Sequence, residues 1–199
     1  MLGCCSIVSF PLRTPFDYQI TLIPAALFAR DEIIEHPTKT SSMLFYLAVI
    51  IIHDGFRTDP ADQSRSNTSS YLDLAPLYGS TVKEQQQVRT MVDGKLKPDC
   101  FNEPRILGFP PGVGVFLICF NRFHNYVATQ LAAINEKQRF TKPAPLSAGR
   151  EHSPDEEARY AKAKKYDEEL FQTSRLVTCG LYANIIRKSS NVSQTATLY

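Results

Sequence analysis

Residues 43–54 read MLFYLAVIIIHD, and this stretch decides the fold. Ten apolar residues run without interruption up to a histidine and an aspartate, and the serines before them can cap a helix. Apolar residues all round a helix are typical of one buried in the centre of a domain. The stretch falls well short of the roughly 20 residues that a membrane span needs. We therefore predict a buried helix over residues 41–56, with a strand over the β-branched residues 49–52 as the alternative.

Spacings of three and four between apolar residues predict a second long helix, over residues 114–135. Its apolar stripe would consist of Phe116, Phe120, Phe123, Val127, Leu131 and Ile134. The sequence SPDE at residues 153–156 is typical of a capped helix start and predicts a third helix. A fourth is predicted over residues 167–186, with one apolar side formed by Leu170, Val177, Leu181 and Ile185.

The segment between the first two predicted helices, residues 57–111, carries turn signals but no periodic pattern. A loop of that length inside a compact domain is usually functional. Residues 142–153 are rich in proline, alanine and serine and indicate a flexible insertion. The predicted fold class is therefore mainly α, with long irregular loops.

Composition excludes several classes of function. The chain has 199 residues and 43% hydrophobic residues, which suits one domain with a hydrophobic core. A net charge of +2 without a basic, aromatic-rich run indicates no nucleic-acid partner. The five cysteines show no CxxC spacing, so they predict neither a zinc site nor a disulfide framework. Without a secretory signal or an apolar span, we expect a cytoplasmic protein, with peripheral attachment to lipid bodies or membranes as the alternative.

Two groups of residues are candidates for chemistry. His53 and Asp54 end the predicted apolar helix, and an imidazole beside a carboxylate needs partners in such surroundings. A single histidine at a helix end is more often structural than catalytic. Ser69, Tyr71 and Asp73 alternate along the chain and offer the hard oxygen donors that suit calcium. Taken alone, that second group is only a serine-rich turn.

Three longer stretches carry a family resemblance. They are LFYLAVIIIHDGFRTD at 44–59, SNTSSYLDLAPLYGS at 66–80 and GKLKPDCFNEPRILGFPPGVGVFLICFNRFHNYVATQL at 94–131. In order and spacing they resemble the animal-type haem peroxidase superfamily, and most of all its fungal fatty-acid oxygenases of the linoleate diol synthase and psi-factor-producing type. The resemblance implies an unmatched N-terminus (1–26), a partial haem peroxidase or dioxygenase domain containing the distal half of the haem site (27–186) and a divergent tail (187–199).

The resemblance also implies residue roles. His53 corresponds to the distal haem histidine, which takes a proton from a hydroperoxide and returns it to the leaving oxygen. The implied calcium ligands are Asp54, Ser69, Tyr71 through its carbonyl, and Asp73. Such a cation would clamp the loop onto the helix that aims His53. Arg105 corresponds to a distal-side cation in contact with haem.

Some positions depart from the family pattern. Ala75 stands where many relatives have a further oxygen ligand, which implies a weaker calcium site or one completed by water. Val49 and Ile52 replace a glutamine and a haem-linking aspartate of the mammalian peroxidases, so no covalent haem link is expected there. His124 and Asn125 match the family's long core helix, where we expect them to form hydrogen bonds within packed helices, and His124 is not assigned as the iron ligand.

The activity implied is haem-dependent oxygenation of an unsaturated fatty acid by dioxygen, yielding oxylipins, in a protein that could form oligomers at full length. The family's proximal histidine and radical tyrosine lie beyond the matching residues, so we expect this fragment to be inactive. Residues 187–199 indicate a frameshift, a retained intron or a gene break. The alternatives are a non-catalytic relative that binds calcium or little haem, and a helical interaction module without a cofactor.

Overall fold

The computed structural model describes residues 37, 40–69, 71–144 and 154–196, and within the last range the side chains of 156–189. The chain divides into two units, residues 1–41 and 42–199, and the second contains the helices described below. Over the described ranges the only β pairing consists of isolated bridges, Thr58 with Ser66 and Arg89 with Leu96. The mainly α prediction is confirmed. The boundary predicted at residue 26 lies outside the described residues.

Among the described residues of the second unit, five α-helices and two 3₁₀ segments follow one another. The α-helices are α1 (Ser42–Gly55), α2 (Ala75–Tyr78), α3 (Val82–Val88), α4 (Pro111–Ile134) and α5 (Pro154–Ala196), and the 3₁₀ segments are Pro104–Gly108 and Glu136–Gln138. Helix α4 is central, since α1, α2, α5 and the first 3₁₀ segment all pack against it. No helix among the described residues combines the length and the apolar character that crossing a membrane requires.

Helix α1 forms as predicted, and the strand alternative is wrong. Leu47 and Ile50 are buried against the core. The prediction that the helix is buried on all sides is wrong for one face, where Phe45 and Ile52 are 60% and 54% exposed. Helix α4 begins at Pro111, before the predicted residue 114, because the proline suits a first helical turn.

Helix α5 joins the two helices that were predicted over residues 153–186. After Pro154 it contains no proline, so nothing in its sequence forces a break. It continues through Ala196, into the residues expected to diverge. The predicted capping residue Ser153 and residues 145–153 of the expected insertion lie outside the described residues.

The predicted apolar side of this helix is only partly correct. Leu170 is buried as expected, but Val177 is 43% exposed. The buried face includes Ser174 and Thr178, whose hydroxyls donate to the backbone carbonyls four residues earlier at 2.8 and 2.9 Å. Because those hydroxyls are satisfied within the helix, both residues can be buried despite their polarity.

The segment 57–111 is more ordered than its sequence suggests. Thr81 and Glu84 form a capping box that starts α3, in which Thr81 Oγ1 accepts from the Glu84 amide at 3.2 Å. The turn at Asp93-Gly94 lies on α5, where the Gly94 amide donates to Asp167 Oδ1 at 2.6 Å. Asp167 also accepts from the buried Arg89 guanidinium at 2.7 Å, and that guanidinium lies 3.9 Å from the centre of the Phe171 ring. The loop is therefore fixed to the helix by a buried ion pair.

His124 forms hydrogen bonds as predicted, and one of its partners is on the loop rather than on a packed helix. It is fully buried on α4, with Nδ1 2.9 Å from the Tyr78 hydroxyl and Nε2 2.9 Å from the Gly94 carbonyl. A carbonyl can only accept, so Nε2 carries the proton and Nδ1 accepts from Tyr78. Burial lowers the pKa of His124 to about 4, which keeps the ring neutral. Asn125 likewise binds the loop, accepting from the Leu96 amide and donating to its carbonyl.

Candidate functional site

His53 lies in the last turn of α1, half-buried at the edge of the helix. Its Nδ1 is 2.8 Å from the Val49 carbonyl, which can only accept. The proton of a neutral imidazole is therefore on Nδ1, and Nε2 keeps its lone pair. The ring of Phe109 contacts the imidazole edge-on, with centroids 4.9 Å apart. These contacts fix the ring and leave one nitrogen able to accept a proton.

An exposed apolar face lies beside this imidazole. Phe45, Ile52 and Phe56 are 60%, 54% and 70% exposed. A spacing of seven places Phe45 and Ile52 on one side of α1, and Phe56 directly follows the helix, with its amide donating to the Ile52 carbonyl. Single exposed apolar residues are ordinary on a protein surface, but a group of them on one side of a helix favours a surface that binds a ligand or a partner. This face is hereafter the α1 face.

Asp54 is oriented the opposite way, into the protein. It is fully buried and accepts from the backbone amides of Leu74 and Ala75 at 3.1 and 2.8 Å. Leu74 has φ of 61°, a left-handed conformation that is uncommon for leucine and that these bonds help to hold. The Asp54 carbonyl accepts in addition from the Thr68 hydroxyl at 2.9 Å. The residue next to His53 thus ties the following loop to the end of α1.

The other residues expected to bind calcium lie on this loop. The Ser69 hydroxyl is 3.4 Å from the Tyr71 carbonyl, and the Tyr71 side chain is 80% exposed, so only its carbonyl is available to the loop. The Asp73 amide donates to the same carbonyl at 2.9 Å. The structure therefore brings Ser69, Tyr71 and Asp73 together in one turn, which sequence alternation suggested.

The negative charge of Asp73 acts on the neighbouring Asp54 carboxyl. Burial raises the pKa of Asp54 to about 6, and the charge of Asp73 adds to that rise, although the amides of Ala75 and Leu74 oppose it. Asp73 Oδ1 is buried without a hydrogen-bond partner among the described residues. Two acidic side chains and an unpaired buried oxygen thus lie in one place. No group of three or more His, Cys, Asp or Glu side chains suited to a metal occurs in the part of the chain that the structure describes.

Helix α5 contributes three side chains that sequence reasoning missed. Arg175 Nη2 donates to Asp73 Oδ2 at 3.0 Å, and Cys179 Sγ donates to the Asp73 carbonyl at 3.3 Å. Tyr182 is fully buried, and the charge of Asp54 contributes to a raised pKa of its hydroxyl after burial itself. The spacing of 175, 179 and 182 is a signal that could have grouped them on one helix face. Nothing local indicated which loop that face would meet.

Arg105 is engaged in the structure by a neighbouring residue. Its Nε and Nη2 each donate to the buried Glu103 carboxylate at 2.8 Å. Burial by itself would raise the pKa of Glu103, but these bonds lower it overall. The 3₁₀ segment that carries Arg105 is followed directly by Phe109, the residue that contacts His53. Arg105 is therefore on the segment next to the imidazole, with its guanidinium bound to Glu103.

Comparison with known proteins gives the following matches. No protein-family profile matches the chain. Psi-producing oxygenase A of Emericella nidulans is 66% identical over 162 residues, which are 81% of this chain and 14% of that protein. Linoleate diol synthase of Gaeumannomyces graminis is 59% identical over 151 residues, 76% of this chain and 12% of that protein. Among solved structures, the fatty acid alpha-dioxygenase of Oryza sativa has a TM-score of 0.48 at 18% identity, covering 81% of this chain and 30% of that one.

Over the matched residues, the chain is homologous to fungal proteins named psi-producing oxygenase and linoleate diol synthase. It spans about one seventh of the length of the curated relatives that it matches. The family predicted from the three sequence stretches is thereby confirmed.

Proposed function

We propose that this chain forms the distal side of a haem-dependent fatty-acid oxygenase, acting as a dioxygenase or peroxidase on an unsaturated fatty acid with dioxygen. One observation carries the proposal: His53 directs Nδ1 at the Val49 carbonyl and so leaves Nε2 outside that bond, beside the exposed α1 face, while the backbone amide of Ala75 holds the adjacent Asp54. The names of the relatives, an oxygenase and a linoleate diol synthase, support a fatty acid as the substrate.

The α1 face fits a large planar apolar group. Phe45, Ile52 and Phe56 present apolar surface beside the imidazole, as a porphyrin ring requires. When bound, haem would supply the iron and the redox chemistry that no amino-acid side chain provides. The residues of this chain would bind one side of the group, exclude water from it and place a base above it.

His53 would move the proton. Its Nδ1 is bound to the Val49 carbonyl, so Nε2 can take a proton from a hydroperoxide and return it to the leaving oxygen. Phe109 holds the ring against rotation through an edge-on contact. Positioned proton transfer of this kind contributes roughly 10²–10⁴-fold to a rate.

A calcium ion is proposed for the loop, with Asp54, Ser69, Tyr71 through its carbonyl, and Asp73 as ligands. The unpaired buried Asp73 Oδ1 and the two neighbouring carboxylates fit a hard cation, which prefers such oxygens. Asp54 retains acceptor capacity beyond its two amide bonds, since a carboxylate has about four lone-pair sites. Through Asp54, a cation there would fix the end of α1 and hence the position of His53.

A haem titration tests the α1 face. Haemin added to the chain should give an intense Soret band, and Phe56→Asp should weaken binding at least tenfold because it places a charge on the face. Tyr126→Asp is the matched control, since Tyr126 is 60% exposed on α4. Equal haemin affinities for the two variants would refute a haem surface on α1. The absence of a Soret band in the wild type and in both variants would refute it as well.

Two further variants test the base and the cation. His53→Gln should keep haemin binding and, when a phenolic reductant is supplied, slow the haemin-dependent reduction of a fatty-acid hydroperoxide to the alcohol by 100-fold or more. Calcium should raise the melting temperature of the chain, and Asp73→Asn should abolish that rise. Asp99→Asn is the control for the second variant, because Asp99 is an exposed carboxylate paired with Arg122. Unchanged hydroperoxide kinetics in His53→Gln would remove the proposed role of the imidazole.

A further inference from the structure

Arg175 is a positive charge that contacts the loop carboxylate Asp73. Its guanidinium donates to Asp73 Oδ2 at 3.0 Å, and its side chain is only 18% exposed. The same group lies 5.3 Å from the centre of the Tyr78 ring, which adds a cation–π contact. A partly buried, doubly supported arginine is held in place more firmly than a surface ion pair.

The two carboxylate oxygens of Asp73 have different surroundings. Oδ2 accepts from Arg175, whereas Oδ1 is buried without a partner among the described residues. The backbone at this point is also fixed to α5, because Cys179 Sγ donates to the Asp73 carbonyl. Arg175 thus occupies one oxygen and leaves the other directed into the protein.

The charges require compensation even without a metal. Asp54 is fully buried and accepts from the amides of Leu74 and Ala75, which directly follow Asp73, so the two acidic side chains lie near each other and repel when both are charged. We propose that Arg175 is the built-in counter-ion of this pair, holding the loop when no divalent cation is bound and opposing the cation when one binds. The inference rests on the calcium loop proposed above.

An orienting role and a counter-ion role for Arg175 predict opposite changes in cation affinity when the arginine is removed. If Arg175 only oriented Asp73 for the metal, its removal would weaken cation binding. If it acts as a counter-ion, its removal leaves more uncompensated negative charge, so a cation binds more tightly while the metal-free protein becomes less stable. Charge on residue 175 and cation binding are then negatively coupled, and the coupling is reciprocal.

Terbium(III), a luminescent substitute for calcium, tests this in the full chain. The chain has 9 tyrosines and no tryptophan, so tyrosine-sensitised emission reports binding without a tryptophan background. Arg175→Gln should bind Tb³⁺ roughly fivefold or more tightly than the wild type, a factor at the lower end of typical coupling. Arg175→Lys, which keeps the charge, should remain within about twofold. Arg187→Gln removes an equal charge from an exposed position of α5 and controls for net charge.

Melting curves complete the test. In EDTA, Arg175→Gln should melt below the wild type, and excess calcium should raise its melting temperature by more than it raises that of the wild type. Affinity in Arg175→Gln that is unchanged or lower overturns the counter-ion role and leaves the calcium loop intact. Tb³⁺ binding that is absent, or that persists in Asp73→Asn, refutes the calcium loop and the inference together.

Discussion

Gly94 occupies a position that only glycine fits, and Gly94→Ala is the sharpest test of how the loop lies on α5. Its φ is +62°, a conformation that side chains rarely adopt. An added Cβ would lie 2.7 Å from the Phe171 backbone nitrogen and 2.9 Å from the Leu170 carbonyl carbon. These are backbone atoms of a long helix, so they cannot move aside as the end of a flexible side chain could.

The expected cost follows from two contributions. The left-handed conformation costs an alanine roughly 1–2 kcal/mol relative to glycine. Overpacking against a rigid neighbour typically costs about 1–3 kcal/mol more. We therefore expect Gly94→Ala to lower the free energy of unfolding by about 2–5 kcal/mol. At about 2–4 °C per kcal/mol for a chain of this size, the melting temperature should fall by roughly 4–20 °C.

Urea unfolding followed by far-UV circular dichroism measures this, because the helices dominate the signal. Gly180→Ala is the control: it lies inside α5, and a Cβ there meets nothing within 4 Å. That variant should gain roughly 0.5–1 kcal/mol from helix propensity. If Gly94→Ala unfolds within about 0.5 kcal/mol of the wild type, the proposed close approach of loop and helix is incorrect.

Two further predictions concern buried charge. Arg89→Met leaves Asp167 buried without its ion-pair partner and should lower the free energy of unfolding by about 3–5 kcal/mol. Glu168→Gln changes a side chain that is 50% exposed and should lower it by under about 1 kcal/mol. Urea unfolding midpoints of the two variants measure this difference. His124 has a folded pKa of about 4 against an ordinary value of 6.5, so the folded state binds fewer protons and its stability is lost as pH falls from 6.5 to 4. That loss should reach about 3 kcal/mol and be absent in His124→Gln; the same loss in both proteins would contradict it.

Local signals predicted the parts of the fold that depend on a few neighbouring residues. The apolar run of α1 and the three-and-four spacing of α4 identified both helices, although α4 begins at Pro111, three residues before its predicted start. His124 and Asn125 were assigned to hydrogen bonding because polar groups on a packed helix need partners, and both bind the loop at residues 94 and 96.

Features that depend on distant contacts were not predictable in this way. The charged stretch of α5 has a cap-like start and a later apolar pattern, which suggested two helices, although no residue between them breaks the helix. The buried face of α5 was not recognised because it includes the polar residues Ser174 and Thr178, whose hydroxyls form hydrogen bonds within the helix itself. Arg175 meets Asp73 across 102 positions of sequence, and no local pattern encodes such a pairing.

The chain Tyr78–His124–Gly94 has a consequence for measurement. The Gly94 carbonyl fixes the direction of both hydrogen bonds, so the core holds two labile protons in a set order between a loop turn and two helices. Water can reach these protons only when α4 separates from the elements around it. The rate at which they exchange with deuterated solvent would therefore report the opening of the protein interior, and NMR can measure it without an attached label.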